Sequence, residues 1–107
     1  MCIRDRDDAS RALELEPRQK EAWSLRGQVR GALGDWAGQR ADLSRSLELD
    51  PARGLVWAQR AHACERLGDW EGAVQGYERA LSRDPGAPWA EKARQRLARA
   101  QRRLAAR

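Results

Sequence analysis

Pro17, Pro51 and Pro85 stand 34 residues apart, and the residues between them recur at the same interval. Trp23 falls on Trp57 and Arg26 on Arg60. Leu33-Gly34-Asp35-Trp36 falls on Leu67-Gly68-Asp69-Trp70, Leu47 on Leu81 and Asp50 on Asp84. Laying 17–50 over 51–84 matches 11 of 34 positions, so the chain contains a duplicated unit. A repeat this short cannot enclose a core by itself. It buries its apolar side only by stacking on its neighbours, which restricts the chain to a linear array.

Within each copy the apolar period is helical. Ala22, Leu25, Val29 and Leu33 recur every three or four residues, which predicts one apolar side of a helix over 20–33. Gly34-Asp35 breaks the run, glycine as a helix stop and aspartate as the N-cap of the next helix. Trp36, Leu43 and Leu47 then mark a second helix. The second copy reads alike: Ala61, Cys64 and Leu67, the Gly68-Asp69 turn, then Trp70, Ala73, Val74, Tyr77, Ala80 and Leu81. Each copy closes on Asp-Pro, where proline ends a helix. The four tryptophans at repeat-equivalent positions are expected in the core. Cys64 is expected as a small apolar filler, since Cys2 and Cys64 form no spaced metal or redox pair.

In this sequence Trp57, Ala61, Ala73, Tyr77, Ala80 and Pro85 follow one pattern. Trp23, Gly27, Leu43, Ser46 and Pro51 follow it in the copy before. With the 34-residue period, the unit resembles a tetratricopeptide repeat. The resemblance implies an all-α fold, a right-handed superhelix of antiparallel helix pairs closed by a C-terminal capping helix. It implies a half repeat at 7–19, full repeats at 20–53 and 54–87, and a cap at 88–107, forming one domain over 7–107. Arg26 and Arg60 depart from the family's usual leucine, and Arg30 and Cys64 from its common tyrosine. Gln39 replaces the small residue at which two helices meet, which predicts looser packing in the first unit.

The resemblance also implies a concave binding groove lined by the first helix of each pair. Its expected lining is Glu21, Ser24, Gln28, Gly31 and Ala32 in one unit, and Leu55, Ala58, His62, Glu65 and Arg66 in the next. Trp89, Lys92, Arg96 and Arg99 follow from the capping helix. Gln28, Leu55, Ala58, His62, Arg66, Trp89, Lys92 and Arg96 are the candidate partner-binding residues. Trp89 either covers the edge of the last helix pair or stands in the groove as an aromatic anchor. Some members of the family clamp a partner's C-terminal carboxylate with paired Lys and Asn. This chain has no Asn, and Ser24 and Gln28 hold the corresponding first-unit positions, so that clamp is incomplete here.

Of the formal charge of +5, residues 1–87 carry 14 Lys and Arg against 15 Asp and Glu, whereas 88–107 carry seven against Glu91 alone. The basic character therefore belongs to the last helix, where Ala90, Ala93, Leu97, Ala100 or Gln101, and Leu104 form a narrow apolar stripe. Pro88 is expected in that helix's first turn. The polar remainder suits a solvent-facing cap. A second reading is electrostatic binding of nucleic acid or an anionic membrane by this helix.

Residues 1–6 do not follow the repeat and read as an unstructured or artefactual start. An array opening at a second helix reads as part of a longer protein, with weak self-association through the uncovered flank of 7–15. No stretch reaches the ~20 apolar residues of a membrane span, and no signal peptide is evident, so a cytoplasmic chain is expected. Catalysis and cofactors are not expected. His62 and Cys64 diverge by roughly 200° on a helix, His62 with Glu65 makes too few metal ligands, and no glycine loop joins a strand to a helix. The acidic residues read as surface pairs, Glu14 with Arg11 and Arg18 among them. The expected function is protein–protein interaction through the concave face.

Overall fold

A computed structural model describes residues 20–106. The expectations placed on 1–19, including the half repeat and the pairing of Glu14, lie outside the described residues. Among those described, the regular elements are five helices: α1 Lys20–Ala32, α2 Trp36–Leu49, α3 Gly54–Arg66, α4 Trp70–Arg83 and α5 Ala90–Ala105. Each packs on the one before it. The fold is the expected all-α tetratricopeptide type, two helix pairs and a capping helix.

The turns form as the sequence dictates. Gly34 (φ 81°) and Gly68 (φ 77°) adopt the left-handed conformation that a side chain disfavours. The amide of Asp35 then reaches back to the Arg30 carbonyl and that of Gly34 to Gly31, closing α1 as a Schellman motif; Asp69 and Gly68 do the same for Cys64 and Glu65. The same aspartates open the next helix. Asp35 accepts from the Gly38 amide and Asp69 from the Gly72 amide, each at 3.0 Å. The Asp50 and Asp84 amides satisfy the Ser46 and Ala80 carbonyls, and the prolines that follow end α2 and α4. Pro88 is not in the first turn of α5. It sits in a tight turn in which the Ala90 amide reaches the Ala87 carbonyl, and the helix starts at Ala90.

The core has two parts. Leu43, Leu47 and Val56 pack together with Trp57 at their edge, and Ala61, Cys64, Ala73, Tyr77, Ala93 and Ala100 form the larger cluster. Cys64 is the expected filler, and burial pushes its thiol above the ordinary range. The expected apolar side of α1 is corrected: Leu25 and Leu33 are about half exposed, as Leu67 is in the second copy. What α1 buries is Ala22, Ser24, Gly27 and Gly31, because α2 approaches on the glycine side. The looser first unit is corrected too. Gln39 is buried with its carboxamide in the space that a Gly31 side chain would need. The repeat equivalents of Gln39 and Gly31 are Ala73 and Glu65, so in the second copy the larger residue is on the first helix.

The tryptophans are also not where the period predicts. Trp23, Trp36, Trp57 and Trp70 are half-buried at the margin of the core. An interior built largely of Ala, Gly and Ser leaves little room for an indole. Each instead carries a guanidinium on its outer face: Arg45 over Trp23 at 4.7 Å, Arg66 over Trp36 at 5.3 Å, Arg79 over Trp57 at 5.0 Å and Arg103 over Trp70 at 5.6 Å. Such stacking contributes about 0.5–1 kcal/mol at an exposed site.

The departures at Arg26 and Arg30 have a common cause. Asp42 of α2 is fully buried, with Arg26 at 3.3 Å, Arg30 at 3.5 Å and Arg45 at 3.4 Å. Burial raises the Asp42 pKa, while the three cations oppose that rise. The equivalent of Asp42 in the second copy is Gly76, and Arg60 turns there to the Ser44 hydroxyl at 2.6 Å.

Candidate partner-binding groove

Helices α3 and α5, with α4 between them and Gln39 of α2, line an open cavity of about 250 Å³. Ala58 supplies a short side chain from α3, leaving space that a larger residue would fill. Trp89 closes one end, packed against the core by one edge and lining the cavity with the rest. Lys92 and Arg96, one turn apart on α5, give the wall its basic character, and His62 of α3 faces the same cavity. Gln39, Gln59, Tyr77 and Ala93 complete the lining.

Under the wall lies a fixed polar network. The Tyr77 hydroxyl donates to Glu65 Oε2 at 3.0 Å, and Arg96 Nη1 donates to the same oxygen at 3.1 Å. Burial and the neighbouring Glu65 charge push the Tyr77 phenol well above its ordinary value, so it stays a donor. This network ties α3, α4 and α5 together and fixes one cation of the wall. His62 meets the edge of Trp36 at 5.4 Å. Burial, then Arg96, lowers its pKa below 6.5, with a weaker opposing pull from Glu65. The Oε1 atoms of Gln39 and Gln59 are buried without a hydrogen-bond partner, and each lies in a side chain that lines the cavity. Two unsatisfied acceptors beside a cationic wall offer a place for a ligand that both donates and accepts.

The structure brings Ala58, His62, Trp89, Lys92 and Arg96 together in this cavity. Arg66 lines an adjoining one of about 300 Å³ with Glu65, Trp70 and Arg99, where His62 and Arg96 contribute as well. Leu55 is exposed at 44% but lines neither cavity, and Gln28 is exposed on α1 away from both. Ser24, expected in the groove, is buried, with its hydroxyl 2.9 Å from that of Ser46. Gly31 is covered by Gln39, and Glu65 belongs to the buried network. Glu21 and Ala32 are exposed. Sequence reasoning missed Gln39, Gln59 and Tyr77 as lining. Gln39 carried a signal, as the one bulky polar residue at a position that packing normally keeps small.

Part of the basic charge of α5 is engaged in contacts within the chain. Arg94 donates to the Pro85 carbonyl at 2.8 Å, Arg96 to Glu65, and Arg103 covers Trp70. Lys92, Arg94, Arg99, Arg102 and Arg103 are exposed, and only Arg96 among the cations of the described part of that helix is partly buried. Among the described residues no three His, Cys, Asp or Glu gather to hold a metal, and no helix is long and apolar enough to cross a membrane.

Helix pairs stacked in series, each on the one before it, define a helical-repeat array. Residues 54–100 match the family model described as tetratricopeptide repeat. Solved structures of that fold superpose closely. The first repeat domain of Spaghetti (RPAP3), bound to the HSP90 peptide SRMEEVD, gives a TM-score of 0.83 at 21% identity, covering 94% of this chain and 77% of that one. The human RPAP3 domain, solved by NMR, gives 0.80 at 21% identity with the same coverage. The TPR2B domain of yeast Sti1, in a complex with pHsp70, gives 0.80 at 17%, covering 91% and 80%. At these identities the likeness establishes the fold. No curated protein sequence matches the chain.

Proposed function

We propose that the chain is a protein-binding module, not an enzyme, and that it holds a segment of a partner protein in the cavity between α3 and α5. The observation that carries this reading is the cavity itself. It has an apolar floor at Ala58 and Ala93, an aromatic end at Trp89, two unpartnered amide oxygens and a wall of Lys92 and Arg96. A peptide backbone supplies N–H donors for Gln39 and Gln59, and acidic side chains suit the wall. Two structures of the same fold hold peptides from other proteins, which supports a ligand of this class.

The test is selection of binders from a displayed peptide library, followed by affinity measurement with the full chain. Enriched peptides should contain Asp or Glu, and Ala58→Gln, which fills the cavity, should weaken them at least about tenfold. Enrichment of peptides indifferent to Ala58→Gln counts against the reading. If binding instead fails only when Arg102 and Arg103 are changed to Gln, and falls steeply with salt, the outer face of α5 is the binding element.

A further inference from the structure

The cavity beside the groove has a different chemistry. Arg66 and His62 approach it from the last turns of α3, Arg96 and Arg99 from the middle of α5, and Trp70 closes a side from the start of α4. Three guanidinium groups surround about 300 Å³ against one carboxylate, Glu65. Two of the three are held in place, Arg66 over the Trp36 ring at 5.3 Å and Arg96 by Glu65 at 3.1 Å. They cannot simply spread apart to relieve their repulsion. Glu65 neutralises little of this charge for an incoming ligand, since its Oε2 already accepts from Tyr77 and Arg96. Its side chain is 8% exposed, and its other oxygen, Oε1, is buried without a partner. The site therefore calls for a compact anion that also carries a hydrogen-bond donor.

We propose that this cavity binds a phosphate monoester, whose oxygens accept from Arg66, Arg96 and Arg99 and whose remaining P–O–H donates to Glu65 Oε1. Guanidinium forks match the spacing of phosphate oxygens. A carboxylate at neutral pH accepts only and leaves Glu65 unanswered. A phosphate monoester has its second pKa near ~6, so its monoanion is available at little cost. The phosphate arrives either free or on a phosphorylated side chain of a segment lying in the groove, with which this cavity shares His62 and Arg96. The site rests on its own residues and stands whether or not the groove takes a peptide.

His62 is the only histidine of the sequence, so its imidazole gives a single reporter in the full chain. Arg66 and Glu65 of α3, Arg96 and Lys92 of α5, and the Trp36 ring of α2 surround it. Its titration is followed by NMR in inorganic phosphate and in chloride at equal ionic strength. Phosphate should raise the His62 pKa by about one unit through its charge. Arg66→Gln with Arg99→Gln should abolish that rise, and Arg83→Gln with Arg102→Gln, an equal charge change outside the cavity, should preserve it. Helical circular dichroism checks that each variant is folded. A phosphoserine peptide acting at lower concentration than inorganic phosphate, with its unphosphorylated twin inactive, assigns the source to a phosphorylated segment; the reverse order assigns it to free phosphate. An identical His62 titration in phosphate and chloride overturns the proposal. So does a rise that survives the Arg66/Arg99 changes, or sulfate, which has no proton to donate, acting as strongly as phosphate.

Discussion

Gly76 packs directly on Ala61: a Cβ at Gly76 would lie 2.7 Å from Ala61 Cβ and 3.2 Å from the Trp57 carbonyl oxygen. In the first pair the small residue is on the other helix, where Gly27 faces Asp42. One pair therefore brings its helices together through a glycine on the second helix, the other through a glycine on the first.

That asymmetry predicts unequal costs. Gly76→Ala meets backbone and a rigid methyl and should destabilise the chain by about 1–3 kcal/mol, despite alanine's better helix propensity. Gly27→Ala meets Leu43 at 3.2 Å, a branched end that has freedom to shift, and should cost less than Gly76→Ala. Urea denaturation of the two variants gives the comparison. Equal losses would contradict the packing described.

Asp42 is the counterion of three arginines and has no exposed surface. Asp42→Asn keeps the shape but leaves Arg26 and Arg30 facing a neutral group in a half-buried site. A loss of about 2–4 kcal/mol is expected, scaled down from a fully buried pair because both arginines retain some exposure. Denaturation at neutral pH measures it, and a loss within ~0.5 kcal/mol, typical of a surface change, would show that the cluster does not hold α1 to α2.

The two N-caps separate in the same way. Asp35→Ala and Asp69→Ala each remove a cap to a glycine amide, at about 1 kcal/mol. Asp69 also accepts from Arg40 of the preceding pair at 3.2 Å, a closer ion pair than the 3.9 Å between Asp35 and Arg30. Its loss should be a few tenths of a kcal/mol larger at low salt, with the difference fading as salt rises. A difference insensitive to salt would assign it to something other than that ion pair.

His62 predicts a pH dependence. Its pKa is lowered in the folded chain, so below the unfolded value of 6.5 the unfolded state binds the proton more readily. The neutral-His fold is therefore at its full stability above that pH and loses stability as pH falls through 6.5 toward the folded pKa. In His62→Gln this component should be absent. Denaturation midpoints at pH 7.5 and pH 5 for both proteins reveal it, and parallel pH profiles would contradict it.

The legible part of the fold was local. The 34-residue period, Gly34-Asp35, Gly68-Asp69 and the closing prolines act through their own backbone, so sequence alone located the helices between them. Which side of a helix is buried depends on what stands opposite. Leu25 and Leu33 share a helical side on paper, yet α2 approaches the glycines. The same limit applied to the tryptophans, whose arginine lids come from other helices. That Ala58, His62, Trp89, Lys92 and Arg96 lie near one another was legible, because a first-helix position has a fixed direction in the array. Gln39 and Tyr77 reach the cavity from second helices, which the first-helix rule does not cover. The Asp42 cluster left a trace: Arg30 and Asp42 both break the match between copies in the same unit.

The central claim is that the cavity between α3 and α5 holds a partner segment, and site-directed photo-crosslinking tests it most directly. A photoreactive residue is placed at Lys92, on the cavity wall, or at Ser82, exposed on α4 and outside the cavity lining. Each protein is irradiated with a peptide selected by the unmodified chain. Crosslinking from position 92, absent from position 82 and suppressed by Ala58→Gln, is the predicted result. Crosslinking from position 82 that ignores Ala58→Gln would contradict the account.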